Sequence, residues 1–307
     1  MPTERALTDR LAKFFATEDP GVTVGIGDDG AVVRTGSRTV LACDPVVEGV
    51  HFSRSDRLGL VGRKAVNRNL SDLAAMGAVP SYLLVSLLQP AWLNETQRDE
   101  LLRGIRKAAR AASCTVVGGD VSTSPETLVV TVTALGLAPR RPLCRSGLRC
   151  GDSLHVTGPL GGSRLGGHLT FTPRLAEGQW LASQRSATSG MDISDGLLLD
   201  LATMLSASTA SAGIQLGAIL DANSIPVARA AHRQSEGSDK TPLEHALGDG
   251  EDHELLFGWR GSTLEPDPMT MRACRAIGEV SDVPGIRLRW PDGRVELCEP
   301  EGYQHDV

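Results

Sequence analysis

Leu7, Leu11 and Phe15 recur every four residues, and that period predicts a helix over residues 4–15. Further helical stretches cover residues 57–78, ending in Gly77, and residues 94–113, where Asn94 and Gln97 have the spacing of a capping box. Short β-prone runs fall at residues 31–33 and 38–43, joined by a hairpin-like connection through Arg34 and Ser37. A buried strand at 81–88 is bounded by Pro80 and Pro90, and two more strands read at 114–120 and 127–138. Residues 140–151 are basic, turn-rich and without periodicity, so the domain boundary is placed there, giving domains 1–140 and 141–307. Beyond it come a strand at 152–158, a strand–acidic turn–helix unit at 190–208, a polar surface loop at 233–241, and late strands at 254–259 and 286–290. Strands come in neighbouring pairs rather than in strict βαβ alternation, which predicts an α+β class with antiparallel strands.

A chain of 307 residues is long for one hydrophobic core, in keeping with two domains. Its 41% hydrophobic and 22% charged residues describe a soluble globular protein, and with only 4% aromatics the core must be built from Ala, Val, Leu and Ile. A net charge of −6 argues against a nucleic-acid surface. Six cysteines without C-x-x-C spacing suggest reduced thiols rather than a zinc site or disulfide framework. The charged, helix-like start is unlike a signal peptide, and no apolar run approaches the ~20 residues of a membrane span. These features lead to the expectation of a cytoplasmic enzyme or binding protein without a membrane partner.

Gly25, Gly27 and Gly30 match G-x-G-x-x-G, and Asp44 falls where a ribose-binding acid would be wanted in a dinucleotide fold. That reading fails, because no helix fits between Gly30 and the β-prone run at Thr39. Asp28 and Asp29 would also place two carboxylates against the phosphates with no cation to offset them. Two adjacent aspartates in a glycine turn either initiate the turn or hold a hard cation such as Mg²⁺.

The second reading gains from the other acidic turns. Asp44, Asp72, Asp120, the pair Asp192 and Asp195 around Ser194, and Glu251 with Asp252 each sit at an element end near Gly, Ser or Pro. Carboxylates converging in this way repel one another unless cations lie among them. No G-x-x-x-x-G-K-[ST] motif is present, so phosphate chemistry would rest on metals, backbone amides and arginine.

The segments GIGDDGAVV, DPVVEGVHF, NLSDLAAMGA, GGDVSTS, RSGLRCGD, VTGPLGGS, MDISDGLLLDL and GEDHELLF occur in the order seen in thiamine-monophosphate kinases. The chain resembles that family, within the aminoimidazole-ribonucleotide synthetase superfamily, from about its first helix to Tyr303. The resemblance implies an N-terminal mixed or antiparallel sheet domain that pairs in a homodimer, and a C-terminal α/β sandwich domain. It implies transfer of the ATP γ-phosphate to thiamine monophosphate with several Mg²⁺ ions, ATP lying in a cleft near the domain junction. With the adjacent Asp28, the positions matching metal ligands are Asp29, Asp44, Asp72, Asp120, Asp192 and Asp195. Gly119, Asp120, Arg145 and Ser194 match ATP contacts, and His51, Glu251 and Tyr303 match contacts to the thiamine phosphate. No general base is assigned, because the acceptor phosphate is already ionised near neutral pH.

There are departures. Ala42-Cys43 stands where the family usually has hydroxyl residues, and a soft thiol is a poor Mg²⁺ ligand. Asp249 and His253 replace a glycine and a tyrosine, and the helix expected after GPLGGS is shortened or missing. Taken alone, His51 and His253 read as structural histidines, and residues 197–205 as helix core and nothing more. The competing readings are another ATP-dependent superfamily enzyme, such as one closing a purine ring, and a non-catalytic nucleotide or thiamine-phosphate binder.

Overall fold

The computed structural model describes residues 13–24, 32–35, 38–261, 264 and 274–303. The chain forms two compact units, residues 1–73 with 78–138 and residues 74–77 with 139–307. Lys13 and Phe14 are helical, and the rest of the helix expected over 4–15 lies almost entirely outside the described residues.

In the first unit, strands β1 (Val22–Val24) and β2 (Val32–Val33) pair with each other. Among the described residues β2 does not pair with the next strand, so the expected hairpin is not seen there. Strand β3 (Thr39–Val47) instead pairs along its whole length with β6 (Val129–Leu137), a far longer ladder than a two-residue strand can offer. Helix α1 (Leu58–Ala75) follows β3. It ends in a Schellman motif, with Gly77 at φ +70° and the Ala78 N–H on the Leu73 carbonyl. Strand β4 (Val79–Pro90), helix α2 (Glu95–Ala111) and strand β5 (Thr115–Ser124) then form a βαβ unit with β4 and β5 parallel. The sheet order is β3-β6-β4-β5, so the sheet is mixed rather than purely antiparallel. Helix α2 carries the expected capping box: Asn94 accepts the Gln97 N–H and Gln97 accepts the Asn94 N–H, both at 3.0 Å. Its Leu101 and Ile105 are buried, as are Leu70 and Leu73 of α1 and Val130 and Val132 of β6. The sheet also presents exposed apolar side chains on three neighbouring strands, Leu41 of β3, Leu137 of β6 and Leu84 of β4.

The second unit is built on a seven-stranded sheet. Its elements are β7 (Ser153–Val156), a 3₁₀ turn (Ser163–Leu165), α3 (Gly167–Thr170), α4 (Leu175–Ser183), β8 (Ala187–Asp192), α5 (Leu197–Ala212) and β9 (Gly217–Asp221). After these come α6 (Arg229–Ser235), α7 (Pro242–Gly248), β10 (Leu255–Trp259), β11 (Arg275–Ser281), β12 (Gly285–Arg289) and β13 (Val295–Cys298). The strand order is β13-β12-β9-β11-β7-β10-β8, antiparallel except for β9 beside β12. Strands β9 and β11 escape the hydrophobic pattern because each is short and contains glycine; a Cβ on Gly278 would strike the Ile219 carbonyl of β9. The loop expected over 233–241 is shorter than its polarity suggests, since residues 233–235 close α6 and Thr241 caps α7 in a second capping box with Glu244. The core is aliphatic, with Leu154, Leu201, Met204, Leu256 and Ile277 among its members. Among the described residues, no helix is long and apolar enough to cross a membrane.

Candidate active site

In the first unit, Asp44 is fixed by its backbone. Its N–H donates to Asn69 Oδ1 at 2.8 Å and its carbonyl accepts from Asn69 Nδ2 at 3.3 Å, while Asn69 also bonds the Ala65 carbonyl within α1. The Asp44 carboxylate is 3.7 Å from the Arg68 guanidinium. Asp72 lies three and four residues beyond Asn69 and Arg68, so α1 presents all three on one face. Gly119 shares a register row with Asp44 across the sheet, through Val132 and Val85. A Cβ at Gly119 would collide with the Val85 carbonyl, which explains the glycine. Asp120, one residue on, is exposed and accepts the Ser122 hydroxyl at 3.1 Å.

His51 closes the turn after β3. Its Nδ1 accepts the Val47 N–H at 3.1 Å, its own N–H bonds the Val47 carbonyl, and buried Lys64 donates to its carbonyl at 2.6 Å. An Nδ1 that accepts places the proton of the neutral ring on Nε2, so this edge is a donor.

In the second unit, three loops and the C-terminal segment are laced together by main-chain bonds. Glu251 N–H donates to the Ser194 carbonyl and His253 N–H to that of Ile193, each at 2.8 Å, and Tyr303 N–H reaches the Asp195 carbonyl at 2.9 Å. The glycine loop joins them: Gly161 N–H donates to Asp252 at 2.9 Å, Gly162 N–H to Asp249 at 3.1 Å, and the Ser163 hydroxyl to the Gly250 carbonyl at 2.7 Å. The fold thus brings Asp192, Ser194, Asp195, Glu251 and Tyr303 into one loop cluster. Glu251 and His253 have φ of +53° and +52°, a conformation costly for side-chain-bearing residues and typical of functional turns. Beside the cluster lies a cavity of about 940 Å³ whose lining includes Arg164, Lys240, His245, Asp249, Glu301 and Tyr303. Exposed Arg145 belongs to the same unit, its carbonyl held by the Ser189 hydroxyl at 2.8 Å and the Ser208 hydroxyl at 3.4 Å.

The pattern reading misses Asp200. Its Oδ2 accepts the N–H groups of Ser194, Asp195 and Gly196 at 3.0, 3.0 and 3.2 Å, so residues 197–205 are more than helix core. The available signal was an acid in the first turn of a helix, where it meets unpaired backbone N–H groups. Asn69 is also missed, and one buried asparagine in a helix carries no signal of its own.

Burial first, and then the charges of Asp195 and Asp192, outweigh the pull of its N–H donors and hold the Asp200 carboxyl up at about 7. Asp252 is also held well above the usual carboxylate range, by burial and then by Glu254, Asp249 and Asp200. Burial leads both shifts, neighbouring carboxylates add to them, and the donors are hard oxygens. Both observations fit a divalent cation such as Mg²⁺. Among the described residues, no three His, Cys, Asp or Glu side chains close into a metal-binding group. Asp28 and Asp29 lie outside the described residues.

The two-unit α+β fold carries the signature of a known enzyme family in its first unit: residues 27–138 match the family AIR synthase related protein, N-terminal domain. The fold, though not the sequence, is shared with E. coli HypE, a hydrogenase maturation protein, at TM-score 0.77 and 18% identity. The chain is 39% identical to the thiamine-monophosphate kinase of Rhodopirellula baltica over 93% of this chain and 92% of that protein. It is 33% identical to that of Synechococcus elongatus, over 98% and 96%. It belongs to the thiamine-monophosphate kinase family. Among solved structures, AaThiL complexed with AMPPCP and TMP aligns over 99% of both chains with TM-score 0.77 and 30% identity. The thiamine-monophosphate kinase of Stenotrophomonas maltophilia aligns over 94% of this chain and 96% of its own, with TM-score 0.78 and 29% identity.

Proposed function

We propose that the protein transfers the γ-phosphoryl group of ATP to the phosphate of thiamine monophosphate, giving thiamine diphosphate and ADP. The observation that carries this reading is the end-to-end likeness to AaThiL complexed with AMPPCP and TMP. An oxygen of the acceptor phosphate forms the new P–O bond as the bond from the γ-phosphorus to the ADP oxygen breaks. The nucleophile is already ionised, so positioning and charge neutralisation are what the protein must supply.

Mg²⁺ ions, when bound, would neutralise the phosphate oxygens. Asp44, Asp72 and Asp120 in the first unit and Asp192 and Asp195 in the second are their proposed ligands, together with Asp28 and Asp29. Gly119, Asp120, Arg145 and Ser194 are assigned to ATP. Arginine suits this role because its planar guanidinium meets phosphate oxygens with paired donors. His51, with its Nε2–H edge, is assigned to the acceptor phosphate, and Glu251 and Tyr303 to the thiamine portion. In this reading the enzyme is cytoplasmic, supported by six free cysteines. It is a homodimer paired through the sheet face bearing Leu41, Leu84 and Leu137, an apolar surface of the kind that self-association covers.

Incubation of the purified protein with ATP, MgCl₂ and thiamine monophosphate should yield thiamine diphosphate and ADP in equal amounts. Absence of thiamine diphosphate while both ligands bind would overturn the reading in favour of a non-catalytic binder. Leu84→Lys should lower the sedimentation mass to that of one chain; an unchanged mass would refute pairing through this face.

A further inference from the structure

The last residue of β8, Asp192, is buried, and its backbone is fixed by pairing with Leu255 of β10. Its side-chain torsion decides where the carboxylate oxygens point. His253 Nδ1 stands 3.2 Å from Asp192 Oδ2. An ionised carboxylate only accepts, so in the neutral ring Nδ1 carries the proton and Nε2 is the bare nitrogen. That Nε2 is buried without a hydrogen-bond partner, so no polar contact at that nitrogen steers the ring. Phe171 is stacked on the ring, with centroids 4.0 Å apart and planes 20° from parallel. Phe171 follows the four-residue helix α3, and His168 of that helix lies 3.6 Å from the Glu251 carboxylate of the same turn.

We infer that His253 and Phe171 are positioning residues, the stacked rings setting the orientation of the Asp192 carboxylate and thereby the affinity of this unit for a divalent cation. The inference rests on the proposed role of Asp192 as a metal ligand. Outer partners of metal-binding carboxylates hold the donor oxygen in place, and their loss costs about 10–100-fold in affinity or activity. Phe171 acts one step further out, by keeping the imidazole from turning its protonated edge away. The short α3 segment thus contributes to the cation site without supplying a ligand.

The test uses Mn²⁺ as a paramagnetic probe, titrated into the full chain without nucleotide, with free Mn²⁺ read by electron paramagnetic resonance. Asp192→Asn should abolish one class of Mn²⁺ sites. His253→Ala and Phe171→Ala should weaken that class by about 10-fold or more. His253→Asn, which keeps a donor near the Nδ1 position, should recover most of the affinity. Phe171→Leu fills the space without stacking and should bind between wild type and Phe171→Ala; it also serves where the alanine variant does not fold. Circular dichroism on each variant separates weakened binding from loss of fold. If Asp192→Asn removes the sites while folded His253 and Phe171 variants bind as wild type, the positioning role is refuted and the ligand assignment stands. If Asp192→Asn binds Mn²⁺ as wild type, the ligand assignment itself is wrong and the inference falls with it.

Discussion

Asp200 accepts the backbone N–H of Asp195 at 3.0 Å, and the same oxygen takes the N–H groups of the residues on either side. One buried carboxylate therefore sets the path of the acidic turn. Asp200→Ala would leave three N–H groups without their acceptor, at a cost of about 1–3 kcal/mol for each that water does not reach. The expected outcome is a lowered urea midpoint together with a loss of turnover at saturating Mg²⁺. Unchanged kinetics in the folded variant would remove Asp200 from the set that shapes the site.

Asp72 sits half-buried on the α1 face that also presents Arg68 and Asn69. Asp72→Asn preserves shape and removes charge. Turnover should fall by about 10²-fold or more, as expected when an electrostatic contributor is lost. The circular-dichroism melt should stay within a few degrees of wild type, and normal turnover would exclude Asp72 from the cation site.

Gly119 offers a steric test. A methyl group there meets the Val85 carbonyl of the neighbouring strand. Gly119→Ala should destabilise the first unit by about 1–3 kcal/mol, the usual cost of overpacking. Thermal denaturation measures it, and a melt equal to wild type would show that β4 and β5 can part at this point.

Acid stability should depend on His155, which is stacked on Phe257 with centroids 5.2 Å apart and bonded to the Ser153 hydroxyl at 2.9 Å. Burial depresses its pKa from 6.5 to about 4. Between those values the unfolded chain binds the proton and the folded chain does not, so stability rises with pH. The contribution is complete above pH 6.5 and is lost as pH falls through about 4. Its size is of the order of 3 kcal/mol, from ~1.4 kcal/mol for each pH unit. His155→Gln keeps a hydrogen bond but cannot take the proton, so its urea midpoint should vary less between pH 7 and 4 than that of wild type. Parallel curves would disprove the assignment.

Tyr303 tests the C-terminal segment as part of the site. It reaches the acidic turn through its main chain, by way of the Asp195 carbonyl, and its side chain borders the cavity. Tyr303→Ala keeps the main-chain bond and removes the ring, so KM for thiamine monophosphate should rise by about tenfold, near 1.4 kcal/mol, with little change in kcat. An unchanged KM would separate this cavity from the substrate.

Local signals were the most legible ones in the sequence. The Asn94–Gln97 box marked the start of α2, because both partners lie within one turn. The equivalent Thr241–Glu244 box was equally local but lay at the end of a polar run, whose composition suggested only loop. The parallel pairing of β4 with β5 could not be read from either strand, since it depends on the crossover through α2. The acidic turns were recognisable as a set, and the fold joins those of the second unit through main-chain bonds that no side-chain pattern encodes. Asp200 and Asn69 were hidden for the same reason: each binds backbone, and neither belongs to a run of like residues. The glycine-rich segment carrying Asp28 and Asp29 lies outside the described residues, so its place in the site rests on sequence alone.

The turn from Gly250 to His253 takes its shape from main-chain bonds to Ile193 and Ser194. The side chains at 251 and 253 can then change without breaking these main-chain bonds, while Asp252 keeps the glycine loop in place. An aspartate at 249 anchors Gly162, and an imidazole at 253 faces Asp192. Such a frame lets the chemistry facing a ligand drift through evolution while the architecture beneath it stays in place, and the same freedom makes this turn the natural place to redesign ligand preference.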